Sequence, residues 1–171
     1  MWKLGLLLPV LLFSGCGYKV VEWSSDRYAT LAVRPIETNP NTRHLSTRMR
    51  DALLERCLAG SSLQPTDSAG DLVLNTKLNA YTESIIATGI DGRTERIQFT
   101  LNATFRMTDG QGQVLWELKN YQYSDQYALF TGQEEYREEA VFETDKAMRT
   151  IADLVITNIS LAISELESAG E

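Results

Sequence analysis

The cleanest alternation in the chain runs over residues 94–108. Ile97, Phe99, Leu101, Ala103, Phe105 and Met107 take every second position, with mostly polar residues between them. A period of two is that of a strand with one buried face. The same period, less regular, marks residues 71–87, with Leu72, Leu74, Leu78 and Ala80 predicted inward. It recurs over 113–123, with Val114, Trp116 and Leu118 inward. Asp91-Gly92 between the first two of these strands is a strong hairpin signal. Asp109-Gly110-Gln111-Gly112 supplies a second tight turn. Residues 71–123 therefore read as an antiparallel meander, followed by a loop over 124–131.

Upstream, residues 28–35 form a strand with Leu31 and Val33 on one face. Pro35 lacks an N–H to continue a ladder and ends it. Residues 37–41 are a turn cluster. The period then changes. Leu45, Met49, Leu53 and Cys57 recur at four-residue steps, which predicts a helix over 42–59 with Gly60 as its C-terminal stop. A short strand is placed at 62–64. A long helix over 133–167 carries the stripe Ala140, Ala147, Met148, Ile151, Leu154, Val155, Ile159, Ala162 and Leu166. Glu134, Glu135, Glu138 and Glu139 crowd its first turns, where the helix dipole favours negative charge.

The predicted order is β-α-(β)-β-β-β-α. Two helices with one stripe each cover one face of a four-stranded, mainly antiparallel sheet, which gives a two-layer α+β sandwich. No helix is left for the opposite face. That face is predicted to show Asn75, Lys77, Asn79 and Tyr81, then Arg96, Gln98, Thr100, Asn102, Thr104 and Arg106, then Glu117, Lys119, Tyr121 and Tyr123. It is poor in Lys and Glu and rich in neutral hydrogen-bonding groups, closer to a wet protein interface than to a solvated face. Lys77, Gln98, Thr100, Asn102, Thr104, Lys119 and Tyr121 are the candidate partner contacts.

The N-terminus has a different pattern. A charged start, Met1-Trp2-Lys3, is followed by an apolar run over residues 4–13. The run is short of the roughly 20 residues that span a bilayer, and it has the form of a secretory signal peptide. Phe13-Ser14-Gly15-Cys16 resembles a bacterial lipoprotein box. In that family the chain is cut before the cysteine, and Cys16 carries covalent lipid. Position 17 is Gly rather than Asp, which by the same resemblance points to the outer membrane. The expected organisation is a signal peptide over 1–15, a lipidated Cys16 with tether over 16–27, and one α+β domain over 28–171. The eleven tether residues, at roughly 3.3 Å each, reach about 36 Å from the headgroups.

Charge and cysteine count narrow the function classes. The chain carries a formal net charge of −7, and the leader would remove only Lys3 from it. An acidic chain has no general attraction for nucleic acid. With Cys16 lipidated, Cys57 has no partner, so a disulfide framework and a zinc site are excluded. Cys57 reads as a small buried hydrophobe and His44, the sole histidine, as a solvated side chain. There is no phosphate-binding glycine loop and no nucleophile elbow. No catalytic residue, cofactor or metal ligand is assigned.

Four stretches then resemble the LptE family of lipopolysaccharide-assembly lipoproteins. They are Cys16-Gly17-Tyr18; residues 31–39, Leu-Ala-Val-Arg-Pro-Ile-Glu-Thr-Asn; Gly92-Arg93-Thr94-Glu95 leading into Leu101-Asn102-Ala103-Thr104; and residues 112–117, Gly-Gln-Val-Leu-Trp-Glu. The resemblance implies a plug inside the outer-membrane β-barrel LptD, anchored on the periplasmic side, that passes lipopolysaccharide to the cell surface. It implies lipopolysaccharide binding through basic residues at the central hairpin, where Arg93 and Arg96 match. The family's second basic position falls in the loop before the last helix, and residues 127–132 carry no Lys or Arg here. The rival readings are a stand-alone periplasmic lipoprotein for another lipid or envelope polymer, and an enzyme without known motifs.

Overall fold

The computed structural model describes residues 28–90, 94–128 and 133–169. The signal peptide, Cys16, the tether, Asp91-Gly92 and Arg93 lie outside them. In chain order the elements are β1 (Thr30–Val33), β2 (Glu37–Thr38), a 3-10 turn (Arg43–Leu45), α1 (Ser46–Gly60), β3 (Gln64–Thr66), β4 (Leu72–Thr88), β5 (Thr94–Asp109), β6 (Val114–Ala128) and α2 (Gln133–Ser168).

The α+β class and the meander stand. The sheet, however, has six strands rather than four, in the order β3-β1-β4-β5-β6 with β2 also on β4. It is mixed: β1 is parallel to β3 and to β4, and β2 is parallel to β4. Only β4, β5 and β6 pair antiparallel. Glu37-Thr38 and Gln64-Pro65-Thr66 are too short to show an alternation. They become strands because longer neighbours offer ladder partners. β1, α1 and β3 form a crossover, which parallel neighbours require. β6 also runs on to Ala128, through half of the predicted loop.

Asp71 fastens the start of β1 to β4. Its Oδ2 accepts from the N–H groups of Ala29 and Thr30 at 3.0 Å each, and from the Thr30 hydroxyl at 2.8 Å. The neighbouring Gly70 is obligatory, because a Cβ there would lie 2.9 Å from both the Ala32 nitrogen and the Leu72 oxygen. At the other hairpin Gly112 takes φ +86°, and Asp109 Oδ1 accepts from the N–H groups of Gln111 and Gln113.

Both helices pack on one face. Arg48 pairs with Asp145 at 3.4 Å and Arg56 pairs with Asp153. The two pairs are about two turns apart on each helix, so α1 and α2 run side by side in the same direction. Leu45 from the 3-10 turn and Met49, Leu53 and Cys57 from α1 meet Met148, Ile151, Val155 and Ile159 from α2 over Leu72, Leu74, Leu78, Leu101, Phe105 and Met107. That is the predicted core, with four changes. Val114, expected inward, is exposed, because the register runs from Met107↔Trp116 to Thr108↔Val114 and the extra residue Leu115 turns it to the open face. Leu166 is exposed, and Ile163 takes the last buried turn of α2. Gly60 is the last helical residue, not a left-handed stop. Ser61, in an extended conformation, closes the helix instead, its hydroxyl donating to the Cys57 carbonyl at 2.9 Å. Ala80 is exposed, for a reason that shapes the open face.

Candidate binding face

Two β-bulges sit opposite each other across β5. On β4 the register runs from Leu78↔Ala103 to Ala80↔Asn102, so Asn79 is extra. On β6 it runs from Phe105↔Leu118 to Ala103↔Tyr121, so Lys119 and Asn120 both oppose Thr104. Asn120 has φ 51°, in the left-handed region that Asn tolerates better than most residues. Each extra residue reverses the in-out parity of the strand beyond it.

The bulges are held together by side-chain amides. Asn79 Nδ2 donates to Asn102 Oδ1 at 2.8 Å and to Thr104 Oγ1 at 2.9 Å. The Asn120 N–H donates to Thr104 Oγ1 at 3.2 Å, and Asn102 Nδ2 donates to the Asn120 carbonyl at 3.3 Å. Asn39 Nδ2 donates to the Asn79 carbonyl at 2.7 Å, and the buried Thr42 hydroxyl to the Leu78 carbonyl at 3.2 Å. The corner leading into α1 is thereby clamped to the β4 bulge.

The parity reversal corrects the predicted face. Tyr81, Tyr121 and Tyr123 turn to the helix side and pack on the core. Tyr121 therefore leaves the candidate contacts. Tyr81, Tyr123 and Tyr127 surround Phe99 with ring centroids 6.1, 6.3 and 6.2 Å away. Burial pushes the Tyr123 phenol above its usual value, helped by Asp125. His44 is exposed as predicted, but it also meets the Tyr81 ring edge-on at 5.5 Å.

Lys77, Gln98, Thr100, Asn102, Thr104 and Lys119 stay on the open face, since β5 keeps its parity from Arg96 onward and Lys77 and Lys119 lie before the reversals. They are joined by Thr82 and Ser84 from β4 and by Gln122, Ser124 and Gln126 from β6. Thr100 and Ser124 share a hydrogen bond of 2.9 Å. Sequence reasoning missed these five because simple alternation put them inside or in a loop. The available signal was Asn79 and Asn120, residues disfavoured within strands. Along β4 to β6 no described element packs on this face.

The face has two unlike ends. Toward the start of β4, Glu117 Oε1 accepts from Arg106 Nη2 at 2.7 Å, and Glu117 Oε2 lies 3.0 Å from Lys119. Those hydrogen bonds, Lys119 first and then Arg106, hold the Glu117 carboxyl below its usual range. At the β4–β5 hairpin end, Ile86 and Ile90 are exposed, Ile90 completely, and so is Ile85, which stands in register with Ile97 on the other side of the sheet. Arg96 is exposed near them, in register with Ala87 and Ala128. Three exposed isoleucines in six residues form an apolar end of the kind that marks an interaction site. Among the described residues no group of three or more His, Cys, Asp and Glu is placed to hold a metal ion.

A one-sided α+β domain with an open polar sheet and an apolar hairpin end is built to bind, and solved bacterial lipoproteins share its architecture. Rare lipoprotein B from Shewanella oneidensis is similar with a TM-score of 0.55 at 13% identity, covering 80% of this chain and 98% of that one. Lipoprotein B from Nitrosomonas europaea gives 0.55 at 12%, covering 81% and 88%. A putative lipoprotein from Caulobacter crescentus gives 0.54 at 14%, covering 76% and 91%. At such identities the likeness shows the fold alone. No curated protein matches the sequence significantly. The family match is direct: residues 28–159 fit the family LptE, described as lipopolysaccharide-assembly. The chain belongs to the LptE family, and its role is in lipopolysaccharide assembly.

Proposed function

We propose that this chain is a non-enzymatic lipoprotein, held by lipid on Cys16 at the periplasmic side of the outer membrane. There it plugs and helps assemble the β-barrel LptD and takes part in lipopolysaccharide transport. The observation that carries the reading is the open sheet face. It presents Gln98, Thr100, Asn102, Gln122, Ser124 and Gln126 as a neutral, hydrogen-bonding surface. A polar barrel lumen would be matched by such a surface better than by an apolar one. The isoleucine end adds an apolar contact. The short reach of the tether confines the domain to the membrane surface.

The test is affinity capture of the full chain from detergent-solubilised outer membrane, with the partner identified by mass spectrometry. Recovery of a large β-barrel supports the plug. Recovery of the chain alone, as a monomer from intact membranes, overturns it in favour of the stand-alone lipoprotein. Cys16→Ser should abolish palmitate labelling and release the chain from the membrane fraction. Arg93 and Arg96 are proposed to grip phosphates of lipopolysaccharide through paired guanidinium hydrogen bonds. Replacing both with Glu should weaken lipopolysaccharide binding, and unchanged binding removes them from the site.

A further inference from the structure

The tether is unusually apolar for a linker. Flexible linkers are rich in Gly and Ser, or charged, whereas residues 16–27 include Tyr18, Val20, Val21 and Trp23. The polar stretch Ser24-Ser25-Asp26-Arg27 then separates Trp23 from Tyr28, the first described residue.

Tyr28 enters at the end of the molecule where α1 stops. It is buried in the same core cluster as Leu63, Ile159 and Ile163. The Ala29 carbonyl accepts from the Gln64 N–H at 2.8 Å. Ser61 stands three residues before Gln64, within about 10 Å of it. Here α1 ends about one turn past the Arg56–Asp153 pair, while α2 runs on to Ser168. The two helices leave an open cleft of about 210 Å³. Arg56, Gly60 and Ser61 form one wall, and Ile156, Ser160 and Leu161 the other. The cleft lies in the helix layer and shares no residue with the open sheet face.

Its chemistry suits an indole ring. The floor is the buried Ile156 and the rim is Leu161, 46% exposed. The Arg56 guanidinium lies across Gly60 and leaves no room for a Cβ there. A guanidinium is attracted to the face of an aromatic ring, most of all to that of Trp. The Ser160 hydroxyl donates to the Ile156 carbonyl at 2.9 Å, so its oxygen can still accept an N–H. Whole small ligands occupy roughly 300–1,000 Å³, so the cleft takes one large side chain. Tryptophan combines a broad apolar ring with a single N–H donor. Trp23 stands five residues before Tyr28, a reach of about 16 Å.

We propose that Trp23 seats in this cleft, with its ring between Leu161 and the Arg56 guanidinium and its N–H on Ser160. The tether is thereby fastened to the helix layer. Only residues 17–22 remain between the docked ring and Cys16, so the reach falls from about 36 Å to about 20 Å. The ends of α1 and α2 are held toward the lipid, and the open sheet face stays uncovered by the tether. The orientation rests on lipid at Cys16. The docking does not, and neither needs a barrel partner, so both are tested apart from the plug reading.

The experiment is NMR of the chain from Cys16 onward, purified in detergent with labelled methyl groups. Trp116 is its only other tryptophan, so Trp23→Phe assigns the indole signals. The Trp23 indole protons should show NOE contacts to the Ile156 and Leu161 methyls. Trp23→Ala should lower Tm by roughly 4–8 °C, as fits the loss of one docked aromatic side chain. Leu161 is half-exposed, so Leu161→Lys should keep the fold. It should lose the contacts, and it should lower Tm in the wild-type chain but not in Trp23→Ala. Absent contacts, or Tm shifts that simply add, overturn the proposal. Indole contacts to detergent alone place Trp23 in the micelle and overturn it. Contacts that appear only between differently labelled chains seat a second copy in the cleft, and also overturn it. A Leu161→Lys chain that keeps its Trp23 contacts but loses capture of a barrel assigns the cleft to that partner, which overturns it as well.

Discussion

Thr100→Glu places a carboxylate at the middle of the open face, and its effects on the free chain and on a complex separate cleanly. In the free chain Thr100 stands in register with Thr82 on one side and Ser124 on the other, and its hydroxyl bonds to Ser124 at 2.9 Å. Losing one neutral hydrogen bond costs about 0.5–1.5 kcal/mol. For a domain near this size that lowers Tm by roughly 2–4 °C per kcal/mol. A partner that covers the face must instead desolvate an unpaired carboxylate, at about 3–5 kcal/mol. At ~1.4 kcal/mol per decade this weakens association by two decades or more. The assay pairs a thermal melt of the variant with its affinity for the detergent-solubilised barrel. Thr100→Ser, which keeps the hydroxyl, is the control. Association within about twofold of wild type, with the fold intact, would refute the reasoning and return the face to bulk solvent.

Three further outcomes follow from the packing. Phe99 is fully buried and touches three tyrosines, so Phe99→Ala should cost about 3–5 kcal/mol in chemical denaturation; a loss under about 1.5 kcal/mol would mean that this end of the sheet collapses to fill the space. Asn120 sits at φ 51°, so Asn120→Val should lose about 1–2 kcal/mol more than Asn120→Gly; equal stabilities would show that the left-handed turn is not what holds the bulge. The Asp71 carboxyl is held below its ordinary value by the Thr30 hydroxyl and then by the N–H groups of Ala29 and Thr30. The stability it confers is present above the unfolded value of about 3.9 and is lost as pH falls through the lower folded value. Asp71→Asn should therefore flatten the stability profile below about pH 4, and an unchanged acid slope would exclude Asp71 as its origin.

The legible parts of the fold were those with local causes. The β5 alternation, the four-residue step of Leu45, Met49, Leu53 and Cys57, and the burial of Cys57 all follow from side-chain periodicity, and each is present in the structure. Cys57 has a thiol pushed up by burial, as suits a buried hydrophobe. Three of the stretches that resemble LptE are also local, and they lie within residues 28–159, which match that family. Glu37-Thr38 was missed as a strand, and the short strand expected at 62–64 lies at Gln64–Thr66, because two or three residues carry no period; both pair only because β4 and β1 are already in place beside them.

The sequence by itself determined the α+β class, the meander and the composition of the two sheet faces in its regular stretches. Tertiary structure alone decided where each face changes its membership. A strand read from sequence is counted by twos from its start, and one extra residue inverts the count for everything beyond it. Asn79 and Asn120 are the two such residues at the middle of the face; Asn is disfavoured within strands, but only their partners across β5 establish the bulges. Asn102 and Thr104 accept the Asn79 amide, and Thr104 also accepts the Asn120 N–H. Those contacts bring together residues from three strands, so no periodicity along one strand could report them. They turn Tyr121 and Tyr123 into the core and bring Gln122, Ser124 and Gln126 out onto the face.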